Sequence, residues 1–372
     1  ASSATSVSSL MTSLGYADVD SSDWGIAIDS AGGNGDWEYS TDSGATWHSF
    51  GAVSANASLL LTSSAQVRYQ PDAENAETNV TIGVRSWDGT SGTASSGAIR
   101  GTADTSTNGG STAFSSQQAS AKIDVTAVND APTINASTDY TMVSVNEDAS
   151  STASVAVSTI LTNAGQADVD TGALSGLVIT GESARGDWEY SLDSGKTWSA
   201  LSDVSTSAAL ALSSTDLLRY APDGERGEEA TLTYQAWDRS TGTAGDTLDV
   251  STRGGTTAYS QNSGTLSVDI TDVNDDPTGT VKITGQPYTG ATLTAEHDVE
   301  DVDGVGNGGF KFVWKADGVV IADENDSTLV LGAAQLNKKI TATIEYTDLQ
   351  KTNESVSSDP TAVIQTPPEP PA

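Results

Sequence analysis

The sequence contains an internal repeat of about 150 residues, and a repeat of this kind limits the folds that a chain can adopt. Gly-Asp-Trp-Glu-Tyr-Ser occupies positions 35–40 and recurs at 186–191. Trp-Asp at 87–88 recurs at 237–238, and Val-Asn-Asp-Ala-Pro at 128–132 recurs as Val-Asn-Asp-Asp-Pro at 273–277. The chain therefore holds two related units of domain size, followed by a different unit from residue 278.

Both copies have the pattern of β-strands. Apolar and polar residues alternate, for example over 232–237 and 265–270, and clusters of Gly, Asp, Asn and Ser separate these stretches. Helical patterns are confined to residues 7–14 and 157–163. We therefore predict an all-β fold of tandem β-sandwich domains in an extended array.

The third unit has the size and strand spacing of a small immunoglobulin-like domain. Its predicted strands are 280–283, 292–296, 310–315, 318–322, 327–331 and 339–346.

The predicted organisation has four parts. They are a β-sandwich repeat at 1–131, a second copy with a candidate ligand-binding loop at 132–277, the immunoglobulin-like domain at 278–366 and a Pro-rich linker at 367–372. The first copy has no counterpart of residues 145–148, so its first strand is either missing from this sequence or precedes an upstream insertion. We expect a monomeric segment of a longer chain.

The formal charge of −34 limits the partners of the chain. Charges of one sign repel and destabilise a compact state unless cations bind, and they disfavour nucleic acid and anionic membrane surfaces. The sequence has no cysteine and therefore neither disulfides nor zinc–thiolate sites. No apolar run approaches the roughly 18–20 residues of a membrane helix, so we expect no membrane insertion.

Acidic residues recur at equivalent places in both copies and cluster where the units meet. An Asp-x-Asp loop can direct two carboxylates at one cation, and Ca²⁺ prefers oxygen ligands. A solvated turn is the alternative for any single aspartate. The EF-hand pattern does not fit, because the glutamate twelve positions into the loop after Asp301 is missing. The candidate calcium ligands are Asp18, Asp20, Asp88, Asn129, Asp130, Glu147, Asp148, Asp168, Asp170, Asp238, Asn274, Asp275, Asp276, Glu300, Asp301, Asp303 and Asp348.

A competing motif suggests an enzyme. Residues 40–47 and 191–198 match the Asp-box pattern S-x-D-x-G-x-T-W of sialidases and other propellers. The boxes lie 151 residues apart, whereas propeller blades repeat every ~40–50 residues. We therefore interpret each box as a hairpin turn that an aspartate caps, with the tryptophan packed against the strands.

The copies differ most in one long segment, 88–111 in the first copy and 238–256 in the second. An acidic, hydroxyl-rich loop with glycines can hold a Ca²⁺ whose open positions accept a carboxylate or vicinal hydroxyls. An ordinary loop that covers the edge of the sandwich is the alternative. The candidate ligand-binding residues are Asp246, Asp249, Arg253, Thr256, Thr257 and Tyr259.

Val-Asn-Asp-Ala-Pro, the Asp-Val-Asp loops at 18–20 and 168–170, and the Trp-Asp strand ends together resemble the cadherin-like repeats of giant bacterial RTX adhesins. The third unit, with Gly-Ala-Thr-Leu-Thr-Ala at 290–295, resembles an immunoglobulin-like module of the same proteins. The resemblance implies a secreted protein of the bacterial cell surface, interdomain Ca²⁺ that stiffens the array, and modules that bind sugars or peptides.

We therefore expect a non-enzymatic, calcium-stabilised adhesin segment whose partner is a peptide or glycan on another cell. The alternative is a carbohydrate-binding module or glycan-processing enzyme of a secreted polysaccharide-degrading protein. An enzyme predicts a cleft with perturbed carboxylates and aromatic platforms. An adhesin stalk predicts acids concentrated at the domain junctions and tryptophans buried in the core.

Overall fold

The computed structural model describes residues 1–16, 24–72, 75–135 and 139–369. Nearly all of its regular structure is β, which confirms the predicted fold class. The two predicted helices are present as α1 (Val7–Ser13) and α2 (Val157–Asn163). Each helix turns apolar side chains into a sandwich core, and Ser6 caps α1 by accepting a hydrogen bond from the Ser9 amide.

Domain 1 is a sandwich of a four-stranded sheet, ordered β1-β6-β3-β4, and a five-stranded sheet, ordered β8-β5-β2-β7-β9. Its core lies between the sheets and includes Ile26, Tyr39 and Leu59. The strands are β1 (Thr5–Ser6), β2 (Gly25–Ala31), β3 (Asp36–Ser40), β4 (His48–Ser49), β5 (Ser58–Thr62), β6 (Gln66–Gln70), β7 (Glu77–Trp87), β8 (Thr102–Ala103) and β9 (Ala119–Val125).

Domain 2 repeats this topology with one addition. The strands β10 and β11 run parallel to β20 at the edge of its larger sheet. That sheet is ordered β10-β20-β18-β13-β16-β19, and the smaller one β12-β17-β14-β15. The strands are β10 (Asp139–Thr141), β11 (Val145–Asn146), β12 (Val155–Ala156), β13 (Gly176–Ser183), β14 (Asp187–Ser191), β15 (Ser199–Ala200), β16 (Ala209–Ser213), β17 (Leu217–Ala221), β18 (Glu228–Trp237), β19 (Thr247–Leu248) and β20 (Gly264–Thr271).

Domain 3 is a smaller sandwich of two sheets, β21-β22-β25 and β24-β23-β26-β27, around Trp314. A 3₁₀ turn spans Ala333–Gln335. The strands are β21 (Val281–Gly285), β22 (Thr292–His297), β23 (Lys311–Ala316), β24 (Val319–Val320), β25 (Thr328–Val330), β26 (Ile340–Thr347) and β27 (Asn353–Ser357).

The long loops after β7 and β18 fold back over the outer face of the larger sheet in domains 1 and 2. In domain 2 this forms a second apolar cluster in which Trp237, Val250 and Tyr259 are buried. The cluster of Trp87, Ala113 and Phe114 corresponds to it in domain 1. As a result every residue of β16 is buried, because one face packs into the sandwich and the other packs beneath the loop.

Candidate metal centres at the domain junctions

The first junction brings together five of the predicted calcium ligands. The Asn129 side-chain amide donates a hydrogen bond to Asp238 Oδ2 over 2.9 Å. The backbone amide of Asp130 donates to Asp170 Oδ2 over 2.8 Å, and the Asp170 amide donates to Asp168 Oδ1 over 2.9 Å. The linker between domains 1 and 2 is therefore bound by two carboxylates at one end of domain 2, those of Asp170 and Asp238, and Asp168 in turn binds the Asp170 backbone.

The second junction repeats this arrangement, although domain 3 has a different sequence. The Asp275 amide donates to Asp303 Oδ2 over 2.7 Å, and the Asp303 amide donates to Asp301 Oδ1 over 2.8 Å. The Asn274 side-chain amide donates to Glu354 Oε1 over 3.1 Å. Both Asn-Asp linkers thus enter the following domain through the same set of contacts.

The chain that follows each linker also pairs in the same way. The Thr133 amide donates to the Ala167 carbonyl, and the Thr278 amide donates to the Glu300 carbonyl, both over 2.8 Å. This pairing positions each Asp-x-Asp loop beside its linker, because the paired residue lies directly before the first aspartate.

Domain 2 also contributes a carboxylate to the second junction, from the end that lies away from the first junction. Glu147 follows β11 and accepts a hydrogen bond at Oε1 from the Val273 amide over 2.7 Å. Its side chain is 1% exposed, and Oε2 has no hydrogen-bond partner. Leaving a buried carboxylate oxygen unpaired is costly, and a cation bound to this atom would offset that cost.

Three more buried oxygens at the second junction have no hydrogen-bond partner. They belong to Asn274 (Oδ1), Asp275 (Oδ2) and Asp348 (Oδ2), and Asp348 is 3% exposed. At the first junction Asp168 Oδ2 is in the same situation. Five of the ten such atoms found among the described residues therefore lie on predicted calcium ligands.

The pKa values of three of these carboxyl groups, those of Glu147, Asp168 and Asp275, are raised. Burial is the largest cause for Glu147, Asp168 and Asp275. Neighbouring negative charges raise the pKa further, from Asp272 for Glu147 and from Asp303 for Asp275. Each group is thus held where its charged form is disfavoured, and a bound cation would reverse that effect.

The two junctions also contain direct contacts between domains. Asn75 of domain 1 accepts hydrogen bonds from the backbone and side chain of Thr171 in domain 2, over 2.9 and 2.7 Å. Arg226 of domain 2 donates through Nε to the Val302 carbonyl of domain 3 over 2.7 Å. A cavity of about 540 Å³ at the first junction is lined by Asn75, Asn129 and Asp238, among others.

Sequence reasoning missed two residues of the second junction. Glu354 of β27 accepts from Asn274, and the Gln350 side chain donates to Asp303 Oδ1 over 2.6 Å and to the Val273 carbonyl over 3.1 Å. Neither residue belongs to the repeat or to an Asp-x-Asp pair, so only the pairing of β26 with β27 shows that they face the linker.

The other predicted ligands are more dispersed. Asp18 and Asp20 lie outside the described residues. Asp88 accepts hydrogen bonds from the amide and hydroxyl of Thr90. Asp148, Asp276 and Glu300 are exposed.

The donor set at both junctions consists of carboxylate, amide and carbonyl oxygens, which suits a hard cation such as Ca²⁺. Within the described ranges, no group of three or more His, Cys, Asp or Glu side chains is arranged to hold a metal ion. The carboxylates do not converge on one point because some of them accept hydrogen bonds from backbone amides instead, as Asp170 and Asp303 do. A cation would have to draw these side chains toward a common centre.

The candidate ligand-binding loop of domain 2 is largely engaged in its own structure. Tyr259 is buried beside Trp237, and Thr257 donates to the Gly254 carbonyl over 3.0 Å. Asp249 accepts from Ser251, and Asp246 accepts from the Thr243 amide. Arg253 and Thr256 are exposed.

The tip of this loop reaches the first junction. The Gly255 carbonyl accepts a hydrogen bond from the Ala131 amide over 2.8 Å, and the Thr257 carbonyl accepts from the Asn129 side chain over 3.2 Å. The loop therefore covers the outer face of the sheet and also supports the linker, and its exposed side chains lie beside the junction.

The Asp-boxes form the expected hairpin turns. Asp193 accepts from the amide and hydroxyl of Thr197 and from the Ser191 hydroxyl, and the same bonds hold Asp42. The box tryptophans differ from expectation, because Trp47 and Trp198 are half-buried instead of joining the core. The centre of each indole ring lies 4.1 Å from the guanidinium carbon of an arginine on the neighbouring strand, Arg68 for Trp47 and Arg219 for Trp198.

Within the described part of the chain, no helix is both long and apolar enough to cross a membrane. No protein-family model matches the sequence, and no curated protein matches it.

Several solved structures are similar to this tandem array of β-sandwiches. The protocadherin γB4 extracellular domain matches at 13% identity with a TM-score of 0.30, over 90% of this chain and 44% of that one. A tetra-tandem repeat from the extending region of a large adhesion protein matches at 12% identity with a TM-score of 0.23, over 92% and 74%.

An endo-fucoidan hydrolase of glycoside hydrolase family 107 matches at 11% identity with a TM-score of 0.21, over 90% of this chain and 38% of that chain. This chain thus spans less than half of the hydrolase and of the protocadherin structure. Similarity at this level decides nothing about function, which has to be inferred from the junctions themselves.

Proposed function

We propose that this chain is a calcium-stabilised, non-enzymatic segment of a large adhesin on the bacterial cell surface. The observation that carries the proposal is the set of buried, unpartnered carboxylate oxygens at both junctions, on Glu147, Asp168, Asp275 and Asp348. Ca²⁺ binds such oxygens and tolerates irregular geometry. Its charge would also offset part of the −34 that the chain carries.

Binding at a junction links two domains, so the ion would stabilise one relative orientation and make the array stiff. Asn129 and Asp130 would act with Asp168, Asp170 and Asp238 at the first junction. At the second junction, the ligands would come from both domains: Glu147, Asn274, Asp275, Asp301, Asp303 and Asp348. A stiff stalk of this kind would hold a binding module away from the cell.

The sequence motifs resemble the ligand-binding region of the ice-binding RTX adhesin of Antarctic marine bacteria. The proposal therefore includes a peptide or glycan on another cell as partner, with the exposed residues of the domain 2 loop as the candidate surface.

The positions of the perturbed carboxyl groups favour an adhesin stalk over an enzyme. Three carboxyl groups with raised pKa values, those of Glu147, Asp168 and Asp275, lie at the domain junctions and not in a catalytic cleft.

The test replaces Glu147 with Gln in the full chain and uses Glu296→Gln, on the exposed face of β22, as a matched control. At a Ca²⁺ concentration of 100 times Kd, a bound ion adds about 2.7 kcal/mol, or about 10 °C in Tm for a domain of this size. Calorimetry in Ca²⁺ and in EDTA measures this gain.

We expect Glu147→Gln to lose at least about half of the gain in Ca²⁺, since it removes a ligand charge. In EDTA we expect it to be at least as stable as the wild type, because a buried charge without a partner has been neutralised. Glu296→Gln should match the wild type in both buffers. An unchanged calcium gain in Glu147→Gln would count against the proposal.

A further inference from the structure

One residue of domain 2 buries a side-chain amide that makes no hydrogen bond. Gln235 of β18 is 0% exposed, and neither its Nε2 nor its Oε1 has a hydrogen-bond partner among the described residues. It pairs with Val178 and precedes Trp237 by two positions, and both of these residues belong to the outer apolar cluster. Gln235 therefore lies on the outer face of the sheet, beneath the loop after β18, where a buried amide without a partner is costly.

Domain 1 shows what the corresponding position can hold. Arg85 lies two residues before the tryptophan that ends β7, as Gln235 does in β18. Its Nε lies 3.3 Å from Asp29 Oδ2, and its Nη1 donates to the carbonyls of Ser115 and Ser116 over 3.1 and 3.0 Å. In domain 1 a guanidinium therefore joins the sheet to the loop that covers it.

The backbone of the covering loop is held in the same way in both domains. In domain 2 the Ser260 amide donates to the Ala236 carbonyl over 3.0 Å, and the Ser260 hydroxyl accepts from the Ala236 amide over 2.9 Å. In domain 1 the same two bonds join Ser115 to Ser86, over 3.0 and 3.1 Å. The carbonyls of Ser260 and of the residue after it therefore correspond to the two carbonyls that Arg85 binds.

The side chains between loop and sheet differ between the domains. Thr180 stands at the β-bulge where domain 1 has Asp29, and Ser263 stands where domain 1 has Gln118, which donates to Asp29. Gln235 is shorter than arginine and bonds to neither loop carbonyl. Neutral hydrogen-bonding groups thus replace both members of the ion pair, so the ligand that suits this position is small, neutral and able to donate and accept.

We propose that domain 2 binds at least one ordered water molecule between Gln235 and the carbonyls of Ser260 and Gln261. The water takes the place that the Arg85 guanidinium holds in domain 1. It accepts from Nε2 and donates to the two carbonyls, which gives the three hydrogen bonds that a buried water typically makes. A second water at Oε1 satisfies the remaining acceptor in the same way. The loop after β18 is therefore joined to its sheet through water, independently of any calcium at the junctions.

The experiment compares thermal melts of the wild type and three variants of the full chain in EDTA, where no divalent ion contributes. Gln235→Leu replaces the amide with an apolar group of similar size. Gln261→Leu makes the same change on an exposed side chain and is the matched control. The third variant combines Gln235→Arg with Thr180→Asp and Ser263→Gln, so that domain 2 carries the side chains of domain 1.

We expect Gln235→Leu to lower the Tm of domain 2 by about 4 °C or more relative to Gln261→Leu, since the water and the loop carbonyls lose their partner. The triple variant should melt at or above the wild type, because the guanidinium takes the position of the water. A Gln235→Leu chain at least as stable as the control would overturn the proposal, since leucine relieves the cost of an amide that binds nothing. A triple variant that melts well below the wild type would also overturn it, because the arginine would then find no space.

Discussion

The aspartate of each Asp-box stabilises its turn through several hydrogen bonds at once. Bonds from the Thr197 amide and hydroxyl and from Ser191 lower the pKa of Asp193 to about 2. The pKa of Asp42 is likewise about 2, chiefly through Thr46. The ordinary aspartate value is about 3.9, so folding is favoured by the ionised form.

A pH dependence follows from this shift. Because the folded pKa lies below the unfolded one, the stability that Asp193 contributes is present above pH ~4 and is lost as the pH falls toward ~2. We therefore expect Asp193→Ala to lower the Tm of domain 2 at pH 6, and this deficit to shrink as the pH falls from 4 to 2. Melts of Asp193→Ala, with Asp269→Ala on β20 as control, check this. A deficit that is as large at pH 2 as at pH 6 would contradict it.

The repeat allowed some residues of the junctions to be predicted from sequence, and topology determined the others. Asn129, Asp130 and Asp168 could be identified because their motifs recur at 274–275 and 301. Glu354 and Gln350 could not, since their role depends on how β27 pairs with β26. The half-buried state of Trp198 also depends on a neighbouring strand, because it lies beside Arg219 of β17.

At the scale of elements, the loops after β7 and β18 have a structural role that their polar composition did not indicate. They supply apolar residues, such as Val250 and Tyr259, to a second cluster under which Trp237 is fully buried. The sequence analysis kept an ordinary covering loop as the alternative to a binding loop, and the contacts of the loop agree with a covering role. Ligand binding by its exposed residues stays a prediction.

Two tryptophans of domain 2 should therefore differ in importance. Trp237→Ala removes a fully buried side chain, and we expect a loss of about 3–5 kcal/mol in the free energy of unfolding. Trp198→Ala removes a half-buried ring beside an arginine, and the expected loss is about 0.5–1 kcal/mol. Calorimetry of the domain 2 transition compares them. Similar losses would mean that the outer cluster adds little to stability.

Strand patterns predicted most of domain 3, and the exception has a physical reason. Six predicted stretches correspond to β21, β22, β23, β24, β25 and β26, with shifts of one or two residues at most ends. β27 was missed because its sequence, Asn-Glu-Ser-Val-Ser, has one apolar residue and reads as a polar loop. It forms because the free edge of β26 pairs with it.

At the scale of the whole molecule, three acidic sandwiches are joined by short linkers whose contacts recur at both junctions. The net charge of −34 opposes close approach of the domains, while the linker contacts hold carboxylates close together at each junction. The repulsion is strongest where these carboxylates are buried. Cation binding there would therefore affect the arrangement of the domains more than the fold of any one of them.

The measurement that tests this account most directly is small-angle X-ray scattering of the full chain in EDTA, in millimolar Ca²⁺ and in millimolar Mg²⁺. We predict that Ca²⁺ gives the profile of a single rod-like particle, whereas EDTA gives a broader distribution of shapes and Mg²⁺ resembles EDTA, because Mg²⁺ requires a stricter octahedral geometry. Identical profiles in Ca²⁺ and EDTA would contradict the account, since the junction carboxylates would then hold no ion that fixes the domains.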